Sequence, residues 1–343
     1  MKPSIPVLLG AALLAAALSA CKPDGAEAEL RFTRGVFVLN EGNFLASNAT
    51  LDFWDETEDS AALDVFERVN GRPLGDVLQS MTLDGSRAYL VVNNSGKIEA
   101  VQTKTLESVG TITGLTSPRY LLPLGNTGRA YVSDLAANAI SIVDLDALSV
   151  TGSIPLPGWS EEMIQIGSDV FVSHQGRPYV YVIDTRTDQV TDSIAAGAGG
   201  NSLGLDENGK LWVLCGGDFF TSTPASLHRI DPASRTAERS WTFPAGQFPA
   251  NLRLNPAGDT VYYLNTDVFA MPVGAAELPA AAFIAAGGAS FYALGVHPRE
   301  RTLYIADAID YAQRGTVLRY SARGALLDSF KAGIIPGEFV FLE

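Results

Sequence analysis

A seven-bladed, all-β propeller is the fold this sequence predicts, and three observations carry the prediction. The stretch from Gly128 to Pro155, GRAYVSDLAANAISIVDLDALSVTGSIP, holds three short, β-branched, alternating runs separated by turn residues, which read as strands rather than helices. With PRYLLPL (118–124) just upstream they make four consecutive antiparallel strands, the content of one blade. The second observation is recurrence. The second strand of this unit returns as GVFVLN at Gly35, RAYLVV at Arg87, RAYVSD at Arg129, DVFVSH at Asp169, KLWVLC at Lys210, TVYYLN at Thr260 and TLYIAD at Thr302. The equivalent positions Val36, Ala88, Ala130, Val170, Leu211, Val261 and Leu303 are spaced by 52, 42, 40, 41, 50 and 42 residues, the period of four-stranded propeller blades.

The third observation is that the two ends complement each other. The first copy starts at its second strand, with no inner strand ahead of it. PGEFVFL (336–342) matches PRYLLPL (118–124) but has nothing after it. The C-terminal segment is therefore expected to complete the N-terminal blade as its innermost strand, closing the ring and removing the open sheet edges of a linear array. The propeller is expected to occupy residues 35–343.

Ahead of it lie two segments outside the fold. Residues 1–21 have a positive Lys2, an uncharged apolar run from Ile5 to Ala20 and then LSAC (18–21), the pattern of a bacterial signal peptide ending in a lipobox with Cys21 as the lipidated residue. A plain secretory signal is the alternative. The apolar run is shorter than the ~20 residues of a membrane span. Residues 22–34 read as a polar tether whose Asp24, Glu27 and Glu29 resemble the surface-export signals of Bacteroidetes-type lipoproteins. With Cys21 as anchor, membrane attachment is through lipid only, and Cys215 is the one remaining thiol, a small semi-buried residue with no disulfide partner.

The 47% apolar content, 33 Gly and 18 Pro of the 343-residue chain suit many short strands and turns. A net charge of −14 argues against a nucleic-acid partner, because phosphate binding needs a basic surface.

Strand order then says where a site can form. In each blade the loops from strand two to strand three, and from each outer strand to the next inner strand, emerge on one face. The opposite face carries tight turns such as Asp84-Gly85, Asn208-Gly209 and Pro256-Ala-Gly258. The long aromatic loops Asn40–Asn48, Cys215–Pro224 and Asp307–Gly315 belong to the first face. Phe44, Trp159, Phe219, Phe220, Phe248, Phe291 and Tyr311 gather there. Turns need no large rings, so these suggest an aromatic-walled surface for a flat, partly apolar ligand. Asn40, Glu41, Asn43, Arg119, His174, Arg177, Tyr292 and Asp310 would supply its hydrogen bonds.

Aligning the inner strands on Tyr120 gives, to within one residue, an axial ring of Leu78, Tyr120, Glu162, Asn201, Ala250, Tyr292 and Glu338. Glu162 and Glu338 fall on non-adjacent blades, a weak set for a metal. The three histidines are His174, His228 inside a strand and His297 on the opposite face, so none pairs with a nucleophile. The glycines of AAGAGG (195–200) do not lead from a strand into a helix and are no dinucleotide fingerprint. The chain reads as a binder that needs no cofactor, not an enzyme.

The strands YVSD and SIVD resemble those of the YVTN/YncE-like bacterial propellers over residues 35–343. The opening GVFVLNEGNFLASNATLDFWD is similar to the start of the BtuG-like surface propeller lipoproteins of Bacteroidetes. The resemblance implies a seven-bladed lipoprotein of the outer membrane exposed at the cell surface, with a periplasm-facing anchor as the alternative. Such a protein would bind cobalamin or a related corrinoid on the loop face and pass it to a TonB-dependent outer-membrane receptor. Two alternatives stay open: a module for a peptide, glycan or protein partner, and a metal-dependent lactonase or lyase using Glu162 and Glu338.

Overall fold

Burial in the repeats peaks at the second strand, is partial on the innermost strand that lines the channel, and falls away at the outermost, and that profile sorts the strands. The computed structural model describes Met1 and residues 31–343; the signal peptide, the lipobox, Cys21 and most of the tether lie outside the described residues. The second strands are buried almost throughout, as in GVFVLN, because neighbouring blades cover both their faces. The outermost strands, such as TAERSWT, are exposed along most of their length.

The chain order follows the repeats. Blade one supplies β1 (Gly35–Asn40), β2 (Thr50–Asp55) and β3 (Ser60–Ala62), after which comes the short helix α1 (Val65–Asn70). Blade two is β4 (Leu78–Asp84), β5 (Arg87–Val92), β6 (Lys97–Gln102) and β7 (Ser108–Ile112). Blade three is β8 (Pro118–Pro123), β9 (Arg129–Asp134), β10 (Ala139–Asp144) and β11 (Ser149–Pro155). Blade four is β12 (Ser160–Ile166), β13 (Asp169–His174), β14 (Tyr179–Asp184) and β15 (Gln189–Ala195). Blade five is β16 (Gly200–Leu205), β17 (Leu211–Cys215), β18 (Ser226–Asp231) and β19 (Thr236–Thr242). Blade six is β20 (Ala250–Leu254), β21 (Thr260–Asn265) and β22 (Asp267–Pro272). Blade seven is β23 (Phe291–Val296), β24 (Leu303–Asp307), β25 (Arg314–Tyr320) and β26 (Leu326–Ile334), and the chain ends in β27 (Pro336–Leu342).

Seven antiparallel sheets result, and the first has the order β27-β1-β2-β3. The C-terminal strand is the inner strand of blade one, as expected, with Gly35 opposite Leu342 and Leu39 opposite Glu338. Blade six departs from the repeat. It has three full strands, and its outer position is filled by a single bridge from Val268 to Ile284.

Hydrophobic clusters run between blades. Tyr89, Val91 and Ile98 of blade two pack with Leu121, Ala130 and Val132 of blade three. Val36, Val38 and Trp54 of blade one pack with Tyr304, Ala306 and Val317 of blade seven. The fold also starts earlier than the sequence suggests. Phe32, assigned to the tether, is buried against Phe37 and Phe53, and its N–H donates to the Lys104 carbonyl at 2.8 Å. Burying such a ring contributes about 2 kcal/mol, which the polar tether reading overlooks.

Asn40 has a role different from the expected ligand contact. Its side chain is fully buried and staples the ring closure. The amide donates to Asp52 Oδ2 (2.9 Å) and Thr50 Oγ1 (3.2 Å), and Asn40 Oδ1 accepts from the Gly333 N–H of β26 (2.9 Å). A Cβ at Gly333 would lie 2.5 Å from Asn40 Cγ, so glycine is what lets the two elements meet. Asn40→Ala strands the buried Gly333 N–H and the Asp52 carboxylate together. It is expected to lower stability by about 2–4 kcal/mol in urea unfolding, with an unchanged slope.

Candidate functional site

A bulge at one shared level of the inner strands builds the mouth of the central channel. In every blade the pairing of the inner strand with its neighbour slips there. Gln79, Asn201, Tyr292 and Gly337 are each an extra residue, while the pairs Arg119-Tyr120, Glu161-Glu162 and Asn251-Leu252 each face one partner. Bulges re-aim side chains out of the pleat. Gln79, Arg119, Tyr120, Glu161, Glu162, Asn201, Asn251, Tyr292 and Gly337 line a cavity of about 330 Å³ together with Glu41, Arg253 and Glu338. Gly337 contributes space: a Cβ there would sit 2.7 Å from Glu41 Oε1, so Glu41 of the β1–β2 loop occupies that place.

Polar contacts link each blade to the next around this level. Met81 N–H of blade two donates to Glu338 of blade one (3.0 Å), and Ser80 Oγ–H donates to the Arg119 carbonyl of blade three (2.6 Å). Arg119 forks onto Glu161 of blade four at 3.1 and 3.0 Å, donates to Gln79 and stacks over Trp159 at 5.6 Å. Leu203 N–H of blade five donates to Glu162 (2.8 Å), and Asn201 donates to the Pro249 carbonyl ahead of blade six (2.9 Å). Asn251 donates to the Tyr292 carbonyl of blade seven (3.1 Å), and the Tyr292 hydroxyl donates to both Glu41 oxygens of blade one (3.1 Å each). Arg253 reaches from blade six to Glu162 of blade four (3.2 Å).

Four carboxyl groups and two guanidiniums thus share one desolvated ring. Burial raises the Glu41 pKa, partly offset by the Tyr292 hydrogen bond and the Arg119 charge. Burial also raises Glu161, with Arg119 acting against it. Burial opposes the Arg253 charge, but Glu162 and Glu338 outweigh it and leave its pKa raised. Glu338 lies on the channel wall but is enclosed by protein on its other sides, and burial pushes it up to about 7, with Arg253 pulling it down. The Tyr120 and Tyr292 hydroxyls are held well above the usual phenol range, chiefly by burial.

The predicted residues separate into three groups. Glu41, Arg119, Tyr120, Glu162, Asn201, Phe248, Phe291 and Tyr292 meet at the mouth. Phe44, Phe219 and Tyr311 stand on the rim. Phe219 lies 6.0 Å from Phe248, Tyr311 lies edge-on to Tyr292 at 5.6 Å, and Asn43 ties the Tyr311 carbonyl at 2.7 Å. Trp159 is half-buried beneath Arg119 and supports it.

The remainder do not line the mouth. His174 is not a loop residue but the fully buried end of β13, with Nε2 3.2 Å from the Pro157 carbonyl and its pKa lowered by burial. Asp310 caps its own turn through the Ala312 and Gln313 N–H groups, and Arg177 is exposed at the β13–β14 turn. Leu78 is buried, and its ring place belongs to Gln79.

Gln79, Glu161, Asn251 and Arg253 were not among the candidates. For Gln79, Glu161 and Asn251 the sequence signal is adjacency to the aligned ring positions, whereas Arg253 has none. Among the described residues no three His, Cys, Asp or Glu side chains group to hold a metal, and Arg253 stands by Glu162 and Glu338 where a cation would have to sit. Cys215 is buried, with its thiol pushed up to about 12 by that burial.

Fold and mouth together define a closed seven-bladed propeller module. Residues 34–265 match the family described as a domain of unknown function (DUF5074), and the chain belongs to that family. No curated protein matches it in sequence. Among solved structures it is similar to a Bacteroides thetaiotaomicron protein described as quinonprotein alcohol dehydrogenase-like. The identity is 18% and the TM-score 0.70, covering 91% of this chain and 79% of that one. A Lactobacillus plantarum protein is 16% identical with a TM-score of 0.68, covering 91% of this chain and 100% of that one. A Bacteroides fragilis protein provisionally named a 6-phosphogluconolactonase is 12% identical with a TM-score of 0.67, covering 91% and 98%. At these identities the likeness is one of fold.

The Glu338 shift has a definite sign. The native state holds this proton more tightly than the unfolded chain, so Glu338 lowers stability as pH rises from about 4.5 to about 7. Glu338→Gln keeps an acceptor for the Met81 N–H. Its stability gain over the parent is expected to be small at pH 4 and to grow to about 1–3 kcal/mol at pH 8 in thermal or urea melts.

Proposed function

We propose that this chain is a ligand-capture lipoprotein that binds cobalamin or another corrinoid on its loop face. In this reading Cys21 anchors it to the outer membrane, facing the cell exterior, and it hands the ligand to a TonB-dependent receptor. The carrying observation is where the exposed rings lie. The exposed phenylalanines of the described residues, Phe44 (69%), Phe219 (73%), Phe220 (94%) and Phe248 (51%), are all on loops of the mouth face. Large solvated rings concentrated on one face mark a binding surface.

Beneath the rim, Asn201, Asn251, Gln79 and Gln175 line the mouth beside the charged pairs. A corrinoid is broader than a 330 Å³ cavity, so it would lie across the rim with its amide fringe over these side chains. The mouth acids support binding over catalysis, because each is tied to a neighbouring blade by a hydrogen bond or ion pair. Tethering beside a transporter raises the local ligand concentration that the receptor meets.

Equilibrium calorimetry with cyanocobalamin and the fragment from Glu27 onward tests this reading. One-to-one binding at nanomolar strength is expected, weakened about tenfold or more by Phe248→Ala or Phe219→Ala. Absence of binding at high micromolar ligand rejects corrinoid capture. Retention of a glycan or peptide by the same fragment would then assign the polar mouth to that class.

A further inference from the structure

Blade six leaves a second compartment beside the mouth. After β22 the chain lays down no full outer strand, and residues 275–280 swing past the end of blade five. They border a cleft of about 520 Å³ lined by Trp241, Phe243, Tyr263, Phe269 and Leu278. This volume falls within the ~300–1,000 Å³ of small-molecule sites. Tyr263 and Phe269 are stacked, 5.5 Å apart at 10°, and Phe243 meets Tyr263 edge-on at 5.5 Å.

The border is tied to blade five by specific bonds. Trp241 Nε1–H donates to the Ala276 carbonyl at 3.0 Å, and Arg239 donates to the Ala275 carbonyl at 2.8 Å. Gln247 and Asn265, bonded to each other at 2.8 Å, supply polar groups, and Glu277 is the one charged residue of the lining. Such a site favours a neutral ring system over an ion.

The cleft adjoins the mouth through a shared wall. Gln247 lines the cleft and Phe248 the mouth, while Tyr263 and Asn265 line the cleft and Leu264 and Thr266 the mouth. The alternation follows the two-residue period of an extended chain. We infer that this interblade cleft is a binding compartment for a planar, neutral aromatic heterocycle, set across β21 from the polar mouth so that a ligand spanning the rim can reach both. The chemistry of the cleft stands by itself. Its assignment to the nucleotide base of a corrinoid rests on the capture reading above.

The test uses the purified full chain in detergent. Dimethylbenzimidazole alone is the first probe, read by saturation-transfer NMR. Ring-proton transfer is expected in the parent, falling at least about fivefold in Ala280→Trp, which fills the cleft from an exposed position, and also in Phe269→Ala. No transfer in the parent, or transfer undiminished in a folded Ala280→Trp protein, overturns the proposal.

Calorimetry with cyanocobalamin and with cobinamide, which lacks the base, is the second probe. Cobinamide is expected to bind about tenfold more weakly, with the difference abolished by Ala280→Trp. Equal binding of both, unaffected by Ala280→Trp, overturns the cleft's role while corrinoid capture stands. Cleft-dependent benzimidazole transfer with neither corrinoid bound rejects the capture reading and leaves the cleft site intact.

Discussion

Pairing of β27 with β1 is the constraint on which the rest depends, because it converts a row of sheets into a ring. It joins Gly35 to Leu342 and Leu39 to Glu338 across the whole length of the fold. Without it, blade one would expose the edge of a fully buried strand, and the Val36–Tyr304 packing between blades one and seven would have no inner support. The closure is reinforced twice, once by the Asn40–Gly333 staple and once at the mouth by Tyr292 on Glu41. Ring geometry and the position of mouth groups are therefore one problem: a shift between two blades moves a hydrogen bond at the axis.

The mouth is stable because its charges are shared out among blades. Arg119 is met by a fork from Glu161, an amide oxygen from Gln79 and the face of Trp159, so a desolvated guanidinium keeps most of its partners. Glu162 is held by a backbone N–H and by Arg253. Glu338 has one backbone donor and a weaker share of Arg253, which is why its proton is held at a pH near neutrality. The polar ring would be a liability if half satisfied; satisfied as it is, it fixes blade orientation.

The architecture is legible in the sequence because apolar alternation and turn residues repeat with the blade. The period, the strand roles and the ring closure all rest on that signal. The site is legible only in outline. A bulge has no sequence signature, so aligning one residue per inner strand selects Leu78 in place of Gln79 and takes Glu162 without Glu161. Arg253 lies just past the bulge and looks like an ordinary alternating residue. His174 precedes a turn-like QGRP and reads as exposed, but close glycines bury it. A Cβ at Gly158 would come within 2.7 Å of its ring, and Gly200 packs on its backbone. Blade six's missing strand is hidden by the ordinary length of its repeat.

The bulge has a consequence for how such proteins diversify. Its extra residues make no ladder pairing of their own, so their identity is uncoupled from strand register. An exchange there leaves strand register as it is, and its cost falls on the blade-to-blade hydrogen bond that the side chain makes. The axial face is then a set of letters on a common frame, each read together with its bonded partner on another blade. Selection can rewrite what the mouth recognises without having to invent a new scaffold.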